Sequence, residues 1–185
     1  MKTLIGPLLC SVTLGVLALF TNVWAQEKQA IHPVVQQVIA QSQEPSGVVF
    51  DIETLDNDAL QQLLPFVRHQ ISVIRQRFPD IDVAVVSHGT EQFALQKNLT
   101  TANAPLQDAF NALVDDSGVS LHVCGAVASL KGLSQEDFAD FVDVSASGLA
   151  QINDYKAIGY TVIPIKQLTD KERKALFEEP QNFLP

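Results

Sequence analysis

Cysteine is scarce in this chain of 185 residues, which has only Cys10 and Cys124, far apart in sequence. With no close pair of thiols there is no motif for dithiol exchange. A glycine-rich phosphate loop and a Gly-x-Ser-x-Gly nucleophile elbow are missing too, and no tight spacing of His and Cys marks a metal centre. Basic charge is also short, because 12 Lys and Arg stand against 21 Asp and Glu, for a formal net charge of −9. A surface of that sign repels phosphate backbones and anionic headgroups, so nucleic acid and membrane surfaces are not expected partners. No internal repeat, low-complexity stretch or linker divides the chain.

What is present begins with a lone basic residue, Lys2, an apolar run from Leu4 to Phe20, and Val23-Trp24-Ala25 ahead of Gln26. This order is that of a secretory signal over residues 1–25, cleaved after Ala25. The alternative of a retained anchor is disfavoured because the run is shorter than the ~20 residues that span a bilayer comfortably. Cys10 follows Leu9, which is not the small residue that lipid attachment requires, so a soluble periplasmic or secreted protein is expected. Cleavage removes Lys2 and brings the formal net charge to about −10. It also removes Cys10 and leaves Cys124 without an intramolecular partner. An unpaired cysteine in an oxidising compartment is buried and inert, bridged to another chain, or a working thiol.

Past the signal, residues 26–47 form a helical extension: Ile31, Val34, Val35, Val38 and Ile39 recur at helical spacing, with Pro33 suited to the first turn. Residues 48–185 read as one domain in which apolar runs alternate with helical patterns. The expected strands are Val48 to Ile52, Val83 to Val86, Val119 to Val123, Val142 to Val144, and Tyr160 to Ile165, the last at a sheet edge because it contains Pro164. Between them, helices are expected from a cap at Asp56 or Asn57 through Ile74, with a kink or late start at Pro65, from Pro105 to Asp116, and from Gly148 to Ile158. A variable helical stretch covers Glu91 to Asn98, a helix starts at Gly125, Ser134 to Asp137 resembles a capping box, and a charged helix covers Thr169 to Glu178. Asp137, Asp140 and Asp143 read as solvated charges, and Asn98-Leu99-Thr100 as a chance glycosylation pattern. Strand and helix alternating in this way predict a mostly parallel five-stranded sheet covered by helices on both faces, a three-layer α/β/α sandwich.

In such sheets ligands bind beyond the carboxyl ends of the strands. Those ends carry Asp51 and Glu53, then Ser87, His88 and Gly89, then Cys124 and Gly125, then Ser145 and Ser147. Alternation along the third strand puts His122 and Cys124 on one face, so that the imidazole neighbours the sulfur. The passage from strand to helix at Cys124 favours a thiolate, whereas a nearby Asp51 or Glu53 would oppose it. His88, in a loop beside Gly89, is expected to be exposed. Against these readings stands the bland one, in which Cys124 and His122 are core residues.

The segments Val48-Val49-Phe50-Asp51-Ile52, Val83-Ala84-Val85-Val86-Ser87-His88-Gly89, Val119-Ser120-Leu121-His122-Val123-Cys124-Gly125 and Gly148-Leu149-Ala150-Gln151-Ile152, the last leading into Gly159-Tyr160, together resemble the DsrE/DsrF-like sulfur-relay family, which includes the YchN-like proteins. The resemblance spans Val48 to Ile165. It implies an α/β/α sandwich assembled into trimers or hexamers, with Cys124 as the sulfur acceptor that holds a persulfide. Ser87, His88, Gly89, His122 and Gly125 would line the binding site. Partners would be sulfur donor or acceptor proteins or small sulfur compounds, with no cofactor and no resident metal. Export points to a sulfur compound of the envelope rather than to tRNA thiolation. The alternative is a periplasmic module that binds a small ligand, or a metal on His88, His122 and Cys124, without turnover.

Overall fold

In the computed structural model the described residues are 30–97 and 104–185. The expected signal, Cys10 and the Asn98-Leu99-Thr100 triplet lie outside them. Five strands form the sheet: β1 (Gly47–Ile52), β2 (Val83–Ser87), β3 (Val119–Cys124), β4 (Asp143–Ser145) and β5 (Tyr160–Lys166). Their order is β4-β3-β2-β1-β5, and every pairing is parallel. The helices are α1 (Pro33–Ile39), α2 (Ala59–Arg77), α3 (Ala104–Asp115), α4 (Gly125–Ser129), α5 (Gly148–Ala157) and α6 (Asp170–Glu178). Short 3-10 helices cover Thr90–Leu95, Gln135–Asp137 and Pro180–Asn182.

The two faces of the sheet separate as period-two alternation requires. Val48, Phe50, Val83, Val85, Val119 and Leu121 meet α1, α2 and α3 in the main core. Val49, Ala84 and Val86 point to the other face, where Ile152 of α5 covers them, flanked by Tyr155, Tyr160 and Val162. β1 and β2 are buried at every position because helices cover both faces and strands lie on both sides. β5 is an edge strand, and Pro164 sits there exposed, opposite Asp51, where its missing donor leaves no ladder bond unmade.

One local expectation needs correction. The late start at Pro65 is not found: helix α2 runs from Ala59 through Arg77 with Pro65 inside it. Pro65 lies on the exposed side, and Gln61, whose carbonyl loses its intrahelical donor, is exposed too, so that carbonyl is not stranded in the core. The capping box expected over Ser134 to Asp137 forms, closed by the Asp137 carboxylate, and Asp140 is a solvated charge, 93% exposed beside Lys97 at 2.6 Å. Positive φ at Gly118 and Gly159 lets α3 and α5 end and the chain turn directly into β3 and β5.

Candidate functional site at the carboxyl ends of the strands

The carboxyl ends of β1, β2 and β3 converge on a buried polar layer. His88 directly follows β2 and is 3% exposed, contrary to the exposure expected of a loop residue. Its Nε2 lies 2.6 Å from Asp51 Oδ1 and its Nδ1 3.4 Å from Glu53 Oε1. Both ring nitrogens face carboxylate oxygens, so both must carry protons and the ring is an imidazolium. Burial works against that charge, but the two carboxylates outweigh it and raise the His88 pKa to about 9. Burial would likewise raise Glu53, yet Arg173 and His88 bring it down to about 2.

Arg173, on α6, completes the cluster. Its Nε donates to Glu53 Oε1 at 2.7 Å and its Nη2 to Glu53 Oε2, a bidentate fork across 120 residues of sequence. Nη2 also donates to the Leu168 carbonyl at 3.3 Å, and Nη1 reaches Asp170 at 3.2 Å. Asp51, Glu53, His88 and Arg173 thus balance two negative charges with two positive ones inside the fold. A proton-bearing ring held between carboxylates is an anchor, not a base.

A second hub lies alongside. Glu91 is fully buried, and its carboxylate accepts from the Thr54 N–H and the Gly89 N–H, each at 3.0 Å, and from the Ser87 hydroxyl at 2.8 Å. Desolvation nevertheless outweighs these three donors and pushes its pKa up to about 7. Gly89 makes this approach possible, because a Cβ there would lie 2.1 Å from the Thr54 carbonyl oxygen and 2.4 Å from Glu91 Oε2.

Cys124 is the last residue of β3 and is 4% exposed. Its backbone is gripped on both sides by one side chain: the Cys124 N–H donates to Gln92 Oε1 at 2.7 Å, and Gln92 Nε2 donates back to the Cys124 carbonyl at 3.1 Å. β2 pairs with β3 only as far as Ser87 opposite Val123, so the Gln92 amide substitutes for the strand residue that β2 no longer supplies. The thiol side packs with Phe93, Val127, Leu168 and Leu176 in an apolar cluster. Gly125 is small because a Cβ there would come within 2.9 Å of the Ser145 carbonyl oxygen.

His122 shares the strand face of Cys124 as expected, but its Nε2 is 2.8 Å from the Tyr155 hydroxyl, and burial lowers its pKa. His122 therefore belongs with α5, His88 with the carboxylates, and Cys124 with an apolar cluster. Among the described residues no group of three His, Cys, Asp or Glu side chains is placed to hold a metal ion. Asp51 and Glu53 engage His88 and Arg173 rather than the thiol.

This architecture has relatives. The model of the DsrE/DsrF-like family matches residues 57–165. The chain belongs to that family. Among solved structures it is similar to MTH1491, a protein of unknown function from Methanobacterium thermoautotrophicum, at 21% identity and a TM-score of 0.51, over 63% of this chain and 96% of that one. It is also similar to YchN from E. coli, at 14% identity and a TM-score of 0.50, over 65% of this chain and 99% of that one. These similarities carry the fold. No curated protein shows significant sequence similarity to it.

Sequence reasoning singled out His88, Ser87, Gly89 and Cys124 but missed Glu91, Gln92 and Arg173. The one available signal was the polar run Thr90-Glu91-Gln92 shortly after the apolar stretch Val83 to Val86. All three residues are completely buried. Nothing local marked Arg173, which sits on a charged helix of ordinary composition.

Proposed function

We propose that this DsrE/DsrF-like protein is a sulfur carrier of the cell envelope and that Cys124 is its acceptor. The Cys124 thiolate attacks the outer sulfur of a donor persulfide, the donor's S–S bond breaks, and the donor leaves as a thiolate. Cys124 is left as a persulfide, with no net oxidation or reduction. Family membership supports the coarse reading of sulfur relay. The observation that carries the finer one is the placement of Cys124: it is the single free cysteine among the described residues, stands at the carboxyl end of β3, and has both backbone groups clamped by Gln92. Such a clamp holds the sulfur in one position for successive donors and acceptors.

His88 serves in this reading as the cation that holds the strand ends together. The export signal read over residues 1–25 supports a periplasmic location, and N-terminal sequencing of the exported protein tests it. Assembly into a trimer or hexamer is part of the same proposal and is checked by light scattering. The exposed Leu149 and Ile158, at the two ends of α5, are apolar groups such an assembly would cover.

The decisive experiment is intact mass spectrometry after incubation with polysulfide or thiosulfate, with and without later reduction. The expected result is gain of a single sulfur, removed by reductant and mapped to Cys124. No adduct, or an undiminished adduct on Cys124→Ser, overturns the proposal.

A further inference from the structure

The segment after β5 closes over the thiol. Leu168 and Leu176 are buried with Cys124, Phe93 and Val127, and Phe183 and Leu184 pack against the same cluster. The final residue, Pro185, reaches a cavity of about 300 Å³ that it lines together with Phe93 and Lys131. With this segment in place Cys124 is only 4% exposed.

The attachment of the segment is narrow. Helix α6 buries one side chain, Leu176, and the rest of it is exposed or half-exposed. Its polar hold on the domain is the Arg173–Glu53 fork, supplemented by the Leu168 N–H donating to Glu53 Oε2 at 3.4 Å. Its start is independently shaped by the Thr169–Glu172 capping box. Gln167, exposed between β5 and Leu168, joins the segment to the sheet, its Nε2 donating to the Asp51 carbonyl at 3.4 Å. The family match ends at residue 165, so the segment lies beyond the part of the chain shared with the family. Few buried apolar contacts and one ionic fork are the features of an element that opens locally without unfolding the domain.

We propose that residues 168–185 form a strap that shuts the Cys124 site, with Arg173–Glu53 as its latch, and that release of the strap admits the sulfur donor. This rests on the reading of Cys124 as the sulfur acceptor and adds a gate to it. The donor, or the partner that presents it, must displace Leu168 and Leu176 and compete for the Arg173 guanidinium. An anionic group beside the sulfane sulfur suits that exchange, because it can take over the fork that Glu53 makes.

The test is the rate at which iodoacetamide alkylates native Cys124, mapped by peptide mass spectrometry and followed against urea. It is run on the wild-type chain, on Arg173→Ala to remove the latch, and on Leu176→Ala to loosen the strap without stranding a buried charge. The strap predicts slow wild-type alkylation whose rate barely changes at low urea, because local opening exposes little surface. Both variants should react at least about tenfold faster, while the urea midpoint followed by circular dichroism shows the domain still folded. A wild-type rate that follows global unfolding at every urea concentration, or unchanged rates in the variants, overturns the strap. Sulfur loading of the same proteins separates the two ideas. Faster alkylation with no loading in any protein leaves the strap standing and removes the carrier. Equal loading with unchanged alkylation does the reverse.

Discussion

Replacing Glu91 with Gln sets desolvation directly against hydrogen bonding in the buried layer. In the wild type the carboxyl group of the unfolded chain ionises near its ordinary value of 4.5, whereas in the fold it holds its proton up to about 7. The folded state therefore binds more protons across that interval. The stability this contributes is fully present below pH 4.5 and is lost as pH rises through 7. At about 1.4 kcal/mol per pKa unit, the loss is on the order of 3 kcal/mol. Gln has nearly the shape of the protonated acid but cannot ionise, so Glu91→Gln lacks this loss. Its amide must nonetheless present a donor either to the Thr54 N–H or to the Gly89 N–H and Ser87 hydroxyl, which costs about 1–2 kcal/mol at every pH. The two effects predict a crossover: the variant is less stable than wild type at pH 5 and more stable at pH 8, the difference changing by about 2.5 kcal/mol. Urea unfolding at the two pH values, followed by far-ultraviolet circular dichroism, measures it. A variant less stable than wild type by the same amount at both values would show that the three donors win and that Glu91 is buried as a carboxylate.

The remaining expectations concern the neighbouring groups. His88→Gln removes the cation between Asp51 and Glu53 and should destabilise the fold by about 3–5 kcal/mol near neutral pH in chemical denaturation. Because the His88 pKa is raised from 6.5 to about 9, its stabilisation is complete below pH 6.5 and is lost as pH rises through 9, so wild type and variant should converge in the alkaline range. Gln92→Leu leaves the Cys124 N–H and carbonyl without their partner, at about 1–3 kcal/mol for each group, and should also speed alkylation of the thiol; an unchanged thermal midpoint would refute the clamp. Gly148→Ala places a methyl 2.2 Å from His88 Cβ, so a loss of about 1–3 kcal/mol is expected from overpacking, read as a lowered thermal midpoint.

Most of the fold could be read in the order of residues because it rests on local periodicity. The runs at Val48, Val83 and Val119 are too short for helices and too apolar for loops, and each became a strand within a residue or two of its expected limits. Pro164 placed β5 at an edge for a reason that needs no partner: proline has no N–H to give. The charged stretch from Thr169 to Glu178 became α6, which in the structure starts at a capping box of Thr169 and Glu172. His122 and Cys124 share a face because alternation is a property of the strand itself.

The tertiary structure alone decided which of those groups meet. Periodicity says which way a side chain points but not what stands opposite, and charges far apart in sequence carry no mark of each other. His88 looked like an exposed loop residue because its neighbours are polar and small; it is buried because Asp51, Glu53 and, through Glu53, Arg173 supply the charges that make its burial tolerable. Glu91 and Gln92 were hidden for the same reason, since the helical stretch read from Glu91 to Asn98 carries no mark of the hydrogen-bond partners that bury its polar start. Cys124 could be placed at the end of β3 from the sequence, but the segment that covers it comes from the far end of the chain. The amino-acid order by itself determined the elements, their faces and the position of the thiol along β3. Only the assembled sheet, by bringing β1, β2, β3 and α6 to one end, decided which charges cancel and that the thiol is closed off, because both depend on long-range contact.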